Sequence, residues 1–319
     1  MKIVVTGSIA FDYLMFFPGR FVDHLLADQL VEISVSFLVD SLKRQRGGTA
    51  PNIAYTLGLL GGQPHVMATA GQDFGEYRNW LEEHGVNTGA IVEYPDDYCA
   101  SFFVNTDEDQ NQIASFYTGA MANASNLRFA DYAPDADLAI ISPNDPSAMR
   151  NYVAECKALG IPYIYDPSQQ TIRLTGQELR EGVDGCYLLT VNSYELGLIQ
   201  EKTGLSESDI QALAGGTLVT HGRVGSEIAI GGERIHIPSV TPHEVAEPTG
   251  AGDAYRAGLM RGIQLGLPWE LSGKMGALCA TYVLEHVGTQ SHHFTIDEFL
   301  FRFRQHFDDN GVLDQLLEN

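Results

Sequence analysis

A glycine-rich segment late in the chain has the residue types of an anion site next to a carboxylate. Residues 247–255 read Glu-Pro-Thr-Gly-Ala-Gly-Asp-Ala-Tyr and lead into a stretch with helical spacing. Thr249 and the two glycines leave the backbone free to turn tightly, so the amides of Ala251, Gly252 and Asp253 can point together at the mouth of that helix. The segment therefore predicts an anion site.

Asp253 is expected at the first turn of this helix, close to the anion. Helix amides there would keep the carboxylate ionised, so that it can accept a proton from an attacking hydroxyl. Phosphoryl transfer to an alcohol requires such a base next to an anion site, because the protein must align the hydroxyl and stabilise charge on the moving group. The alternative is an ordinary glycine-rich loop in which the aspartate caps the helix.

Two other phosphate-binding motifs do not occur in the sequence. There is no GxxxxGK[ST], which argues against a P-loop enzyme. Gly250 and Gly252 are followed by Tyr255 where a dinucleotide fingerprint has glycine, and the first apolar run lacks that fingerprint as well. A nicotinamide-dependent dehydrogenase is therefore disfavoured.

Short apolar and β-branched runs must position these residues. They alternate with stretches of helical spacing, which is typical of an α/β protein with a parallel sheet covered by helices. The runs are Lys2–Gly7, Asp137–Ser142, Pro162–Asp166, Tyr187–Asn192 and Thr217–Thr220.

Two segments interrupt this rhythm within what we expect to be a single domain over residues 1–319. Residues 13–46 contain an aromatic stretch followed by strand-like alternation at Glu32–Phe37, and residues 98–118 contain two alternating arms around the polar turn Asn105–Asn111. The second segment predicts a β-hairpin. Together they predict a small inserted sheet, which is interpreted as a lid over the active site, or as an edge extension or dimer surface.

Composition excludes several classes of partner. The 319 residues are 44% hydrophobic and 19% charged, as in a globular protein with a substantial core. With 19 Lys and Arg against 41 Asp and Glu, the net charge of −22 disfavours nucleic acid and anionic membranes. The N-terminal run is too short and polar for a signal peptide, and four cysteines without CxxC spacing indicate reduced thiols. We therefore expect a cytoplasmic protein that acts on a small molecule.

The motif at 247–255 and its companions resemble the ribokinase-like carbohydrate and nucleoside kinases over most of the chain. EPTGAGDAY is a close variant of the family's usual DTTGAGDAF. The other landmarks stand in family order: Gly7-Ser8 with Asp12, GGTAPN at 47–52, GQDFG at 71–75, NSYE at 192–195 and THGRVG at 220–225. The resemblance implies a three-layer α/β/α fold with a mainly parallel central sheet and a small β-sheet lid.

Within the family, the sequence is most similar to the bacterial adenosine kinases of the actinobacterial type. Stretches such as DPSQQ at 166–170 and HVGTQ at 286–290 carry this similarity. It implies an ATP-dependent enzyme in which Asp253 is the general base for the 5′-hydroxyl of adenosine. The backbone of Gly250, Ala251 and Gly252 would hold the transferred phosphoryl group.

The same resemblance implies the remaining binding residues. Those for adenosine are Ser8, Asp12, Ser36, Gly48, Asn52, Phe102, Phe116, Gln169 and Gln170, with the two phenylalanines stacked on adenine or, alternatively, packed inside the lid. Those for ATP are Asn192, Glu195, Thr220, Gly222 and Gly225, with Glu195 organising Mg²⁺ through water. Those for a K⁺ ion are Glu247, Thr249 and Gly288, although the family mostly has aspartate at position 247.

Three functions are compatible with these features. The first is an adenosine kinase that forms AMP in purine salvage. The second is a kinase for another nucleoside or for a sugar such as ribose or fructose. The third is a nucleoside-binding regulatory protein without catalysis, which the intact Asp253 disfavours. Because exposed lid strands usually find a partner, we also expect a homodimer formed through the lid.

Overall fold

The computed structural model describes residues 1–25 and 34–318. The strands are β1 (Ile3–Thr6), β2 (Ala10–Phe16), β3 (Ser41–Gly47), β4 (His65–Gly71), β5 (Asn87–Tyr94), β6 (Ala100–Thr106), β7 (Gln112–Tyr117), β8 (Leu138–Ile141), β9 (Tyr163–Tyr165), β10 (Leu188–Asn192), β11 (Gly216–Thr220), β12 (Ser226–Ile230) and β13 (Glu233–Ile237). The helices are α1 (Thr49–Leu59), α2 (Gly75–Glu83), α3 (Phe129–Tyr132), α4 (Pro146–Leu159), α5 (Gly176–Val183), α6 (Ser193–Thr203), α7 (Glu207–Leu213), α8 (Ala251–Gln264), α9 (Trp269–Leu284) and α10 (Ile296–His306).

The larger sheet has nine strands within the described residues, in the order β13-β12-β11-β10-β9-β8-β1-β4-β5. Neighbouring strands from β11 to β5 are parallel, whereas β12 and β13 are antiparallel at one edge. The five apolar runs of the sequence correspond to β1, β8, β9, β10 and β11. The predicted α/β fold with a mainly parallel sheet is confirmed.

Helices cover both faces of this sheet, because successive side chains of a buried strand point to opposite sides. In β1, Ile3 and Val5 pack in the cluster that contains Ile53 of α1 and Leu259 of α8. Val4 between them packs in the cluster formed with α4, α5, α6 and α7. The result is the three-layer arrangement that the resemblance implied.

The second sheet, which we call the lid, consists of β3, β2, β6 and β7 in that order. Its β6–β7 hairpin matches the hairpin predicted at 98–118. The strand predicted at Glu32–Phe37 is wrong where it can be compared: residues 34–37 have no strand, and residues 32 and 33 lie outside the described residues. The strand is β3 instead. Its sequence SLKRQRG lacks apolar alternation because it is an exposed edge strand, where charged side chains prevent unwanted pairing.

The lid and the main sheet are joined through a short connection at Gly47. This residue ends β3, and α1 begins two residues later. A side chain at position 47 would place its Cβ 2.5 Å from the Asp12 carboxylate on the neighbouring strand, so glycine leaves the Asp12 side chain where it is. Among the described residues, we find no helix with the length and apolar character of a membrane span.

Candidate active site

One cavity of about 660 Å³ lies at the carboxyl ends of β1, β8, β9, β10 and β11, with the lid on its other side. Ligands of open parallel sheets bind at this edge, where loops and helix starts converge. The cavity brings together residues predicted separately for acceptor, phosphate and ATP: Ser8, Asp12, Gly48, Asn52, Phe102, Phe116, Gln169, Gln170, Asn192, Glu195, Thr220, Thr249, Gly250, Gly252 and Asp253.

Six predicted residues do not line this cavity. Ser36 is exposed in an irregular segment before β3. Gly222 and Gly225 belong to the turn that follows Thr220. Ala251 donates its amide to the carbonyl of Pro248 at 3.3 Å. Glu247 and Gly288 are the other two.

Glu247 and Gly288 contact one another outside the cavity wall. The Gly288 amide donates a hydrogen bond to Glu247 Oε2 at 2.9 Å, so the longer side chain at position 247 bridges two loops. Thr249, the third residue expected at a K⁺ site, lines the cavity. The carboxylate thus has a protein donor at the place where the resemblance implies a cation.

The start of α8 forms the predicted turn toward the cavity. Gly250 precedes the helix with φ of 83°, in the left-handed region that favours glycine. A Cβ there would lie 2.9 Å from Thr289 Cγ2, so the position also requires a small residue. Helix geometry leaves the amides of Gly252 and Asp253 without intrahelical acceptors, and these donors at a helix N-terminus suit a phosphate.

Both carboxylate oxygens of Asp253 have side-chain donors. Asn52 Nδ2 donates to Oδ2 at 3.0 Å, and Arg256 Nη1 lies 3.4 Å from Oδ1. Burial raises the pKa of Asp253, while Arg256 and the hydrogen bond from Asn52 oppose this rise. The contacts are with side chains, where the sequence analysis expected helix amides. A carboxylate with a raised pKa and room in front of it is suited to accept a proton.

Arg256 connects Asp253 to a second carboxylate that the sequence analysis did not select. Its Nη2 lies 2.6 Å from Asp166 Oδ1, and the Asp166 side chain is fully buried. Burial raises the pKa of Asp166 to about 7, even though Arg256 lowers it. Two signals in the sequence bear on these residues. Asp166 is a carboxylate directly after an apolar strand, and Arg256 follows Asp253 at i,i+3 spacing, which places both side chains on the same face of the helix.

Asp12 occupies a row of residues that crosses the lid. It is in register with Phe102 on β6, which is in turn opposite Phe116 on β7, and all three line the cavity. Burial first, and then the nearby Glu247 carboxylate, raise the pKa of Asp12 to about 6. The lid therefore presents one carboxylate beside two aromatic rings to the ligand.

Asn192 and Glu195 form the opposite wall of the cavity. They make a capping box at the start of α6, in which Asn192 Oδ1 accepts from the Glu195 amide and Glu195 Oε2 accepts from the Asn192 amide, each at 2.8 Å. Within the part of the chain that the structure describes, no group of three or more His, Cys, Asp or Glu side chains is arranged to hold a metal ion directly.

A parallel sheet with a lid, a helix-start turn and a carboxylate in one cavity defines a kinase of small molecules. The family follows from the sequence. Residues 5–295 match the pfkB family of carbohydrate kinases, and the chain belongs to this family.

Proteins similar to this chain include several nucleoside kinases. A nucleoside kinase of Methanothermobacter thermautotrophicus is 30% identical over 305 residues, which cover 94% of this chain and 95% of the relative. The structure of a Burkholderia thailandensis nucleoside kinase in complex with inosine has 36% identity and a TM-score of 0.85, covering 96% of this chain and 98% of its own. The Methanocaldococcus jannaschii nucleoside kinase, an archaeal member of the ribokinase family, has 25% identity and a TM-score of 0.86, covering 96% and 99%.

Proposed function

We propose that this protein transfers the γ-phosphoryl group of ATP to the 5′-hydroxyl of a nucleoside, with adenosine as the acceptor and AMP as the product, in purine salvage. One observation carries the proposal. Asp253 and the turn at the start of α8 line the same cavity as Asp12, Asn52 and the aromatic pair of the lid.

The lid row explains why a nucleoside is favoured over a free sugar. Asp12 and Asn52 together offer a carboxylate that accepts from two vicinal hydroxyls and an amide that both donates and accepts, which suits a ribose. Phe102 and Phe116 add two apolar rings on the same face, which suit the flat base of a nucleoside. Ribose and fructose have no base for these rings to contact. The relatives that are nucleoside kinases support this choice.

Adenosine and inosine differ only at the six-position of the purine, and the inosine complex of the Burkholderia enzyme makes inosine the second candidate. Ser8, Gln169 and Gln170 supply polar contacts to ribose or base in this proposal. Gln170 Nε2 already donates to the Asn144 carbonyl at 2.8 Å, which leaves its buried Oε1 without a protein partner among the described residues. Adenosine stays the first candidate because of the resemblance to the bacterial adenosine kinases.

The proposed reaction follows from the arrangement at α8. Asp253 takes the proton of the 5′-hydroxyl as the oxygen forms a bond to the γ-phosphorus, and the bond between that phosphorus and the bridging oxygen of ADP breaks. The amides at the start of α8 stabilise the charge on the moving group. Asp253 then releases its proton to solvent. Closure of the lid excludes water, which would otherwise compete for the phosphoryl group.

Asn192 and Glu195 fit a Mg²⁺ ion that arrives with ATP and keeps its water shell, because their side chains line the cavity but do not form a direct chelating group. The ion would neutralise charge on the phosphates. Glu247, Thr249 and Gly288 are proposed to bind K⁺, in which case Glu247 exchanges its Gly288 amide donor for the ion.

We further infer a cytoplasmic homodimer that forms through the lid. All four cysteines are free and buried, as expected of a protein in a reducing compartment. Ile113 and Tyr117 on β7 are 43% and 44% exposed, so the edge of the lid is available to a second copy. Light scattering should give a dimer mass that becomes a monomer mass in Ile113→Lys; an unchanged mass would contradict assembly through this edge.

A panel of acceptors tests the proposed activity. ADP formation from ATP is measured with adenosine, inosine, guanosine, cytidine, ribose and fructose, and kcat/KM is expected to be highest with adenosine. A higher value with inosine or another nucleoside would replace the acceptor, and a higher value with a sugar would overturn the nucleoside proposal. Adenosine binding without ADP formation would establish the regulatory protein instead.

A further inference from the structure

A chain of buried hydrogen bonds connects Asp253 to the interior behind the cavity. Tyr77 donates its hydroxyl to the carbonyl of Gly47 at 2.9 Å. Gln290 Nε2 donates to the Tyr77 oxygen and also to Asn52 Oδ1, the latter at 2.9 Å. Asn52 Nδ2 donates to Asp253 Oδ2 at 3.0 Å. Tyr77 is fully buried, and Gln290 and Asn52 are each 6% exposed.

The direction of every hydrogen bond in this series follows from the Gly47 carbonyl at its end. A carbonyl only accepts, so the hydroxyl hydrogen of Tyr77 must point to Gly47, and its oxygen is left to accept. The side of Gln290 that faces Tyr77 must therefore be its NH₂ group, which is also the side that faces Asn52. Asn52 consequently turns its oxygen to Gln290 and its NH₂ group to Asp253.

The orientation of Gln290 that makes these two hydrogen bonds leaves its amide oxygen without a partner among the described residues. This oxygen, Oε1, is buried. Buried amides normally satisfy both ends, because an unsatisfied buried acceptor is destabilising. Rotation of the Gln290 amide would turn its oxygen toward the Tyr77 and Asn52 oxygens, so these two acceptors fix its orientation.

We propose that Gln290 is a positioning residue for the general base, which it serves by fixing the Asn52 amide with its donor side toward Asp253. The inference rests on the proposed function of Asp253. If Asn52 were reversed, its oxygen would face a carboxylate oxygen, and the two acceptors would repel each other. Gln290 thus keeps Asp253 ionised and correctly aimed without touching the substrate.

Other charged groups around Asp253 must be considered in a test that varies pH. Arg256 lies beside Oδ1 on the same helix, and Asp166 after β9 is paired with Arg256. From the lid, Asp12 on β2 and Arg46 on β3 act on Tyr77 with opposite signs. None of these groups is altered when Gln290 or Tyr77 is replaced by a neutral residue, so the variants isolate the donor chain.

The main experiment uses Gln290→Met and Gln290→Glu in the full chain, with kcat measured against pH. Methionine keeps the length of the side chain but cannot donate, so Asn52 can reverse whenever Asp253 is protonated and accept the proton of its carboxyl group. We expect kcat to fall about 10- to 100-fold and its acid limb to move up by about one pH unit, because the protonated form of Asp253 gains an acceptor. Glutamate replaces the donor with an acceptor and adds a nearby negative charge, so the shift should be larger.

A milder pair of variants controls for stability. Tyr77→Phe removes the hydroxyl that fixes Gln290. Tyr152→Phe removes another buried hydroxyl, which donates to the Ala124 carbonyl at 2.6 Å far from the cavity. Both variants lose one buried hydrogen bond to a backbone carbonyl. Only Tyr77→Phe should move the acid limb, in the same direction as Gln290→Met but by less.

The results separate this inference from the function on which it rests. Asp253→Asn with wild-type turnover would remove the base and the inference together. An inactive Asp253→Asn combined with a wild-type acid limb in Gln290→Met and Tyr77→Phe would overturn the inference alone. If Gln290→Met does not fold, the comparison of Tyr77→Phe with Tyr152→Phe decides the question.

Discussion

Strands β8 and β7 lie on opposite sides of the same cavity and differ in how far their side chains are buried. All four residues of β8 are buried, whereas all six residues of β7 are exposed. The main sheet fixes its side of the cavity by packing on both faces, and α8, which packs on this sheet, carries the turn before Asp253. The lid contributes the aromatic row from a sheet with little cover. In the proposed function, phosphoryl transfer therefore takes place on the packed, rigid side, and the exposed side supplies the rings for the base of the acceptor.

The largest effect should come from the rigid side. Asp253→Asn keeps the shape of the side chain and its contact with Asn52 but removes the base, so we expect turnover to fall about 10²–10⁴-fold. Adenosine affinity, measured by calorimetry, should change little. Comparable losses in affinity and turnover would mean that Asp253 holds the acceptor and does not act only as the base.

Arg256→Gln should affect stability as well as turnover. It leaves Asp166 as an unpaired carboxylate with no exposed surface, and the loss of one partner of a buried ion pair costs about 3–5 kcal/mol of unfolding free energy. Urea denaturation measures the loss. The double variant with Asp166→Asn should recover part of the stability but not the turnover. A single variant as stable as wild type would show that the pair is not held as described.

Phe116→Ala tests the exposed side. The ring is 50% exposed, so its removal should leave stability nearly unchanged while KM for adenosine rises about tenfold, the loss of about 1.4 kcal/mol of stacking. Tyr117→Ala is the matched control, since Tyr117 is 44% exposed on the opposite face of the same strand. An equal rise in KM for both variants would point to the strand as a whole and not to the ring.

Asp12 should give acceptor binding and stability opposite dependences on pH. Its pKa in the fold is about 6, above the ordinary aspartate value of 3.8, so the folded state holds the proton more tightly and stability falls as pH rises between these values. Binding to ribose hydroxyls needs ionised Asp12. At pH 5 about one-tenth of the protein has Asp12 ionised, so adenosine affinity should rise about tenfold from pH 5 to pH 7. In Asp12→Asn the affinity trend should disappear, whereas the stability trend should only become weaker, because the raised pKa values of Asp166 and Asp253 act in the same direction.

The smallest predicted effects come from the same Ile→Val substitution made in each of the two strands. Ile140→Val in β8 removes a methyl group from a fully buried side chain and should cost about 0.5–1.5 kcal/mol. Ile113→Val in β7 makes the same change at a side chain that is 43% exposed in the single chain and should stay within about 0.5 kcal/mol at protein concentrations where light scattering gives the monomer mass. Equal losses in urea denaturation of the monomer would mean that β7 is covered within its own chain.

The rigid side could be predicted from the sequence because burial leaves a pattern. Strands such as β1 are continuous apolar runs, and the glycines around Ala251 mark a turn whose backbone conformation few other residues adopt. The edge strand β3 could not be found in this way. Its alternation is hidden by exposed charged residues, so the predicted strand fell on the preceding segment.

The polar contacts of the site were harder to predict than the elements. Asp166 and Gln290 are distant from Asp253 along the chain, and a single sequence does not show which buried polar groups meet. Arg256 and Asp166 could each be noticed in the sequence, but nothing in the sequence shows that the two side chains meet. Motifs thus identified the residues that face the ligand, while the residues behind them emerged only from the fold.

The junction at Gly47 restricts where the length of this chain can change. One residue inserted between Gly47 and Asn52 would turn the rest of α1 by about 100°, carrying Asn52 away from Asp253 while leaving the lid in place. The turn at Gly231 and Gly232, between β12 and β13, has open space around it and no such constraint. Grafted loops or reporter domains therefore belong at the sheet edge, and the six residues Gly47–Asn52 must keep their spacing.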